Sequence, residues 1–304
     1  MIETFLHEWN KRNQEIMANM KKEKISTNHF YELAITQLEL LKKVYPQQVK
    51  YTSQQAEFYH LDGYLRKAGE LYQRVLELDP LVPLSKKEIR LIQTFCPILM
   101  ITPKECFPLK DIVAIHHPSK PLMGYHLFWE DDYDFPDDYE PCDHEEIWIE
   151  YHPVTEVVTN VMCWFHSRVL SSEAAVKEAQ NHQQRAIIRI EWGKHGSLLC
   201  GWEKMKEPLT GILLSDWLKE SYQLVKSGGR LPDHPLKRYW PKGFEGDLDD
   251  YTDYSVKVDL LDYLIEKPLM FKTKWVNAVI FTHSLHYNFH PKMEWPERFV
   301  HSLE

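Results

Sequence analysis

The sequence predicts an α+β protein, with a repeat-type helical segment over residues 1–97 packed on a β-rich, sandwich-like or jelly-roll-like domain over 105–304. Three observations lead to that reading. The first eighty residues carry an internal 34-residue period. Near residue 105 the texture changes to short β-branched and aromatic runs separated by turn residues, and two helix-type stretches interrupt those runs. With 304 residues, 43% of them hydrophobic, the chain is long enough for two domains.

The period appears when "FYELAITQLELLKKVYP" (Phe30 to Pro46) is set over "YLRKAGELYQRVLELDP" (Tyr64 to Pro80). Ala34 then falls on Ala68, Leu38 on Tyr72, Leu41 on Val75 and Pro46 on Pro80. A small residue lets two helices approach, a large one fills the next layer, and proline ends the second helix. The second copy resembles the second helix of a tetratricopeptide unit, with Ala56 and Tyr59 upstream where its first helix has a small residue and an aromatic. Thr52 and Gln55 depart from that pattern. The resemblance implies a tetratricopeptide-like segment that covers its apolar faces on the rest of the chain and serves either as a groove for a protein or peptide partner or as a structural cap.

A further helix is expected in "SKKEIRLIQTF", started by Ser85 and ended before Cys96-Pro97. Strands are expected in "DIVAIHHP", "MGYHLFW", "EIWIEYHP", "VVTNVMCWFHSRVL" and "RAIIRIEWGKHGS". The two helical insertions are "SSEAAVKEAQNHQQ", capped by Ser171 or Ser172, and "LLSDWLKESYQLVKSGG", closed by Gly228 and Gly229.

The net charge of -9 is local: Pro121 to Ser167 holds twelve Asp and Glu and no Lys or Arg, which leaves 36 bases against 33 acids elsewhere. A cation is therefore a better partner for that stretch than a phosphate backbone, and no basic stripe with interleaved aromatics supports nucleic-acid binding. The start, "MIETFLHEWNKRNQEIM", has no apolar run, so no signal peptide or membrane span is read there and a cytoplasmic location is expected. Five cysteines without a C-x-x-C pair point away from a disulfide framework or a zinc ribbon. Phosphate-binding glycine loops and the nucleophile elbow G-x-S-x-G are also missing, which removes nucleotide-dependent and serine-hydrolase chemistry.

The stretch "WEDDYDFPDDYEPCDHEEIWIEYHP" carries the chemistry, with ten carboxylates between Glu130 and Glu146. A strand over "CDHEEIWIEY" puts Asp143 and Glu145 on one face with Ile147, and His144 and Glu146 on the other with Trp148. Hard divalent ions take several oxygen ligands, and zinc or iron sites mix His with carboxylates. His126 stands just before the acidic loop, His166 follows a neighbouring strand, and His195 sits between Gly193 and Gly196, so each is a candidate to complete a mixed site. "THSLHYNFHP" offers a further cluster, His283, His286 and His290, and Glu245 to Asp253 a second acidic patch without the glycine of a calcium loop.

The acidic loop, the D-x-E of Asp143 and Glu145 and the following apolar strand resemble the central motif of the necrosis-inducing protein family and of the vacuolar protein sorting-associated protein 62 family. That motif reads G-H-R-H-D-W-E. "RIEWGKHGS" resembles the W-G-x-H strand of the second family, carried by Trp192, Gly193 and His195. The resemblance implies a divalent ion held by Asp143 and Glu145, with Asp132 as the upstream loop ligand. This chain has Glu140 where the motif has its first His, and His144 where it has Trp.

Two functions are open at this point. One is a metal-dependent enzyme of hydrolytic or tailoring type, with a divalent metal ion on Asp132, Asp143, Glu145 and one of His126, His166 or His195, and with Glu146 or His144 as general base. The other is a non-catalytic interaction protein with a structural metal or ligand site.

Overall fold

A computed structural model describes residues 27–132, 142–207, 210–226, 247–284 and 289–296. Helices come first and β-sheets follow, in a mixed α/β chain that divides into two compact units. The first unit comprises Met1–Pro80, Asn277–His283 and His290–Lys292, and the second the remainder.

In the first unit, α1 (Thr27–Val44), α2 (Val49–Leu61) and α3 (Leu65–Leu78) follow one another through short turns. The 34-residue period is visible as burial, since Ala34, Leu38 and Leu41 are buried on α1 and Ala68, Tyr72 and Val75 on α3. These positions repeat at helical spacing, so each helix turns one apolar stripe inward. The departures from the repeat pattern, Thr52 and Gln55, are buried polar residues, and Gln55 Oε1 accepts from Lys42 Nζ at 2.7 Å. Phe281, from the returning segment, packs its ring 4.6 Å from His60 and 5.3 Å from Tyr72.

In the second unit, α4 (Lys86–Thr94) starts with a capping box in which Ser85 and Glu88 satisfy each other's backbone N–H groups. This helix groups with the sheets, where Leu91, Ile92 and Phe95 join the same apolar core as the strands.

Two sheets follow. The larger has the order β10 (Met270–Lys272), β2 (Leu109–His116), β3 (Leu122–Trp129), β4 (Asp143–Tyr151), β5 (Val158–Phe165), β6 (Arg168–Ser171). It is antiparallel except for the β10–β2 pair. The smaller has the order β8 (Ser197–Leu198), β7 (Ile187–Ile190), β1 (Ile98–Ile101), β9 (Val256–Asp259). Leu99, Ile188 and Ile190 of the small sheet share one core with Tyr125, Leu127, Ile147 and Ile149 of the large one. Ala175 and Ala179 of α5 (Glu173–Asn181), Leu214 and Leu218 of α6 (Leu214–Lys226), and Leu260 and Leu264 of α7 (Leu260–Glu266) complete it. Ser172 caps α5 by accepting from Ala175 N at 3.3 Å. Gly228 and Gly229, expected to close α6, lie outside the described residues.

The central strands of the large sheet are buried on both faces, since every residue of β3 is buried and so are six consecutive residues of β4, His144 to Ile149. Polar side chains on them are therefore sealed from water whichever way they point. No disulfide joins the five cysteines. Among the described residues no helix is long and apolar enough to cross a membrane.

Candidate metal centre

Strand pairing sets the geometry. β3 and β4 run antiparallel with His126 opposite Glu146, Phe128 opposite His144, and Gly124 opposite Trp148. Side chains alternate across a strand, so these six residues share the face turned away from the common core. His126 Nδ1 lies 3.1 Å from His144 Nε2 and 3.4 Å from Glu146 Oε1, and His144 Nε2 lies 4.0 Å from the same oxygen. Donor atoms bound to one ion at about 2.0–2.2 Å stand roughly 3–4 Å apart, the spacing found here.

The electrostatics point the same way. Glu146 and His126 have no solvent exposure, and His144 is 2% exposed. Neither Glu146 oxygen accepts a hydrogen bond among the described residues. Removing a carboxylate from water costs several kcal/mol unless a cation or several donors replace the lost hydration.

The enclosure is aromatic. The Phe128 ring stacks on His144 at 4.6 Å with 8° between planes, and Phe289 meets His144 edge-on at 5.2 Å. Gly124 makes room for the second imidazole: a Cβ there would stand 3.1 Å from His126 Nε2 and 3.4 Å from Trp148 Cδ1. Any larger residue would displace one of those rings.

Asp143 and Glu145 project to the other face, toward the core. His195 Nδ1 lies 2.9 Å from Asp143 Oδ2, and its Nε2 lies 3.4 Å from Glu105 Oε1. Its ring stacks on Trp129 at 4.1 Å. Burial alone would lower the His195 pKa, but the Glu105 charge and the Asp143 hydrogen bond override it and hold it at about 10. Glu105 is likewise held below its ordinary value, burial being outweighed by His195 and by the N–H groups of Gly193 and Phe107. An imidazolium with a carboxylate at each nitrogen has no lone pair to offer a metal.

His166 forms a third, separate pair. It occupies the β5–β6 turn with Ser167, both at positive φ, and its Nε2 lies 2.6 Å from Glu191 Oε2. Glu191 reaches it because Gly196 has no side chain, since a Cβ there would meet Glu191 Oε2 at 2.6 Å.

The residues expected from the sequence therefore divide among several places. His126, His144 and Glu146 come together, and among the described residues they are the group of His, Cys, Asp and Glu whose ligand atoms converge closely enough to hold an ion. The sequence reading separated them, making His126 a ligand and His144 and Glu146 the bases. Asp143 joins His195, Glu145 is buried on the same face, His166 joins Glu191, and Asp132 stands just beyond β3 outside the converging group. Glu140, Asp134, Asp138, His286 and Glu245 lie outside the described residues, while His283 and His290 are exposed. Glu105 and Glu191 went unnoticed, because single acids beside short strands carry no pattern of their own.

No family model, curated protein or solved structure matches the chain.

Proposed function

We propose that this protein is a metal-dependent enzyme whose β-rich unit holds one transition-metal ion on His126, His144 and Glu146. The observation that carries the reading is the Glu146 carboxylate, fully buried, without a hydrogen-bond donor among the described residues, and facing two imidazole nitrogens. Imidazole suits zinc, iron, copper and nickel better than magnesium or calcium, so the donor set favours a transition metal. Three protein ligands leave coordination positions for water or substrate, as catalytic sites require. The helical segment would then recruit the partner or substrate.

The degree of sealing favours a second reading, in which the ion is structural and the protein a non-catalytic interaction module. The set implied by the family resemblance, Asp132, Asp143 and Glu145, is the competing ligand assignment.

Elemental analysis of the purified full chain separates these readings, with wild type compared to Glu146→Gln and to Asp143→Asn. One equivalent of metal in wild type and in Asp143→Asn, lost in Glu146→Gln, is the expected result. Loss in Asp143→Asn alone would move the site to the other face. Metal-free wild type that stays metal-free when supplied with zinc or ferrous iron would reduce the cluster to a His126–Glu146 ion pair and end the proposal.

A further inference from the structure

We propose that the first unit holds a binding site for a small molecule carrying a phosphate monoester, in the cavity bounded by α1, α2 and α3. The cavity has a volume of about 500 Å³ and is walled by Lys42 and Lys43 of α1, Gln55 and Tyr59 of α2, and Lys67 and Leu71 of α3. That volume suits a small ligand. The site lies wholly within the first unit and does not depend on the metal centre.

The wall is rich in donors. Lys42 Nζ donates to Gln55 Oε1 at 2.7 Å, which leaves two of its three ammonium protons for another acceptor. Burial outweighs the Glu39 charge and, with Arg74 nearby, holds the Lys42 amine below its ordinary pKa. Gln55 is 4% exposed, and no described residue accepts from its Nε2. Lys67 Nζ rests on aromatic faces, 5.0 Å from the centre of the Tyr59 ring and 5.3 Å from that of Tyr64.

The charge balance selects the ligand. The acids at the cavity are Glu39 and Glu70, and Glu70 is engaged by the exposed Arg66 at 3.3 Å. Three ammonium groups therefore face the one remaining carboxylate, Glu39, and the surplus of two positive charges matches a phosphate monoester, which carries about −1.5 to −2 at neutral pH. Lysine meets phosphate as a point charge and needs no planar fork to do so. The Tyr59 ring and Leu71 give the organic part of the ligand an apolar surface to lie against.

Phenyl phosphate is the probe, titrated into the full chain by calorimetry, with benzyl alcohol as its neutral counterpart and a short phosphotyrosine peptide as the protein-borne form of the same group. The expected result is saturation at one phenyl phosphate per chain, affinity that falls as salt rises, and a loss of at least tenfold in Lys42→Met and in Lys67→Met. Lys67 is exposed, so its variant keeps the test open if the half-buried Lys42 does not tolerate the change, and circular dichroism checks the folding of both. Absence of saturable binding at millimolar phenyl phosphate overturns the proposal, as does equal binding of benzyl alcohol. Unchanged affinity in both folded variants places the phosphate elsewhere and overturns it too. A peptide that binds at least tenfold more tightly than phenyl phosphate makes the occupant a protein segment and overturns the small-molecule assignment. None of these outcomes bears on the metal content of the chain, so the two proposals fail separately.

Discussion

The two faces of β4 carry opposite solutions to the same electrostatic problem. On the core face, Asp143 is compensated from within the chain: His195 stands between it and Glu105, held protonated by both. On the other face Glu146 is fully buried, more deeply than Asp143, whose side chain is 11% exposed, yet the groups turned toward it are imidazole nitrogens and no donor reaches its oxygens among the described residues. Two acids of one strand thus differ in what surrounds them. The first is closed by an imidazolium of the chain itself, while the second belongs to a group whose donor atoms converge closely enough that it could hold a metal ion.

The largest effect on the metal-free protein should come from emptying the closed face. His195→Leu leaves the largely enclosed Asp143 and Glu105 without their cation and should cost about 3 kcal/mol in denaturant unfolding, with or without metal. The same histidine gives a pH signature. Its pKa is raised from 6.5 in a free chain to about 10 when folded, so its stabilisation is fully present below about pH 6.5 and is lost as the pH rises through about 10. A wild-type stability curve flat over that window would break the account of this face.

Matched neutralisations of the two acids should have opposite signs. Asp143→Asn should destabilise the metal-free protein, whereas Glu146→Gln should stabilise it by about 1–3 kcal/mol because a buried carboxylate to which no described residue donates is removed. With metal present the ranking reverses, since wild type should gain about 4 kcal/mol at a free metal concentration roughly a thousand times its dissociation constant, and Glu146→Gln should gain nothing. Thermal unfolding of the three proteins with and without zinc reads both comparisons.

Two smaller changes sharpen the contrast without touching a donor. Gly124→Ala forces His126 or Trp148 aside and should weaken metal binding about 10- to 100-fold, the scale of losses seen when ligand orientation is disturbed. Phe128→Leu removes the ring stacked on His144 and should cost about 0.5–1.5 kcal/mol of metal affinity, read by competition with a chromophoric chelator. Either change should leave the pH dependence due to His195 in place.

Much of the fold was legible because its signals are local. The 34-residue period placed the buried positions of α1 and α3, Ser85 marked the start of α4, and alternation in "DHEEIWIEY" assigned Asp143 and His144 to opposite faces before any partner was known. Of the candidate residues, His126, expected as a ligand, and His144 and Glu146, expected as bases, form the converging group. The order of the strands, with β10 beside β2 and β7 beside β1, was not, because pairing between distant segments leaves no period in the chain.

What the sequence determined alone was composition and side: which residues could bind a metal, and which of them share a face of one strand, since alternation is a property of the extended backbone. Tertiary structure decided the partners. Antiparallel register set His126 against Glu146, and the loop that turns through Gly193 and Gly196 delivered His195 to Asp143. Alternation is fixed by bonds between neighbours, whereas register and loop docking are fixed by contacts between residues far apart in the chain, and those contacts decided which acid faces an imidazolium and which faces two imidazoles in a converging group.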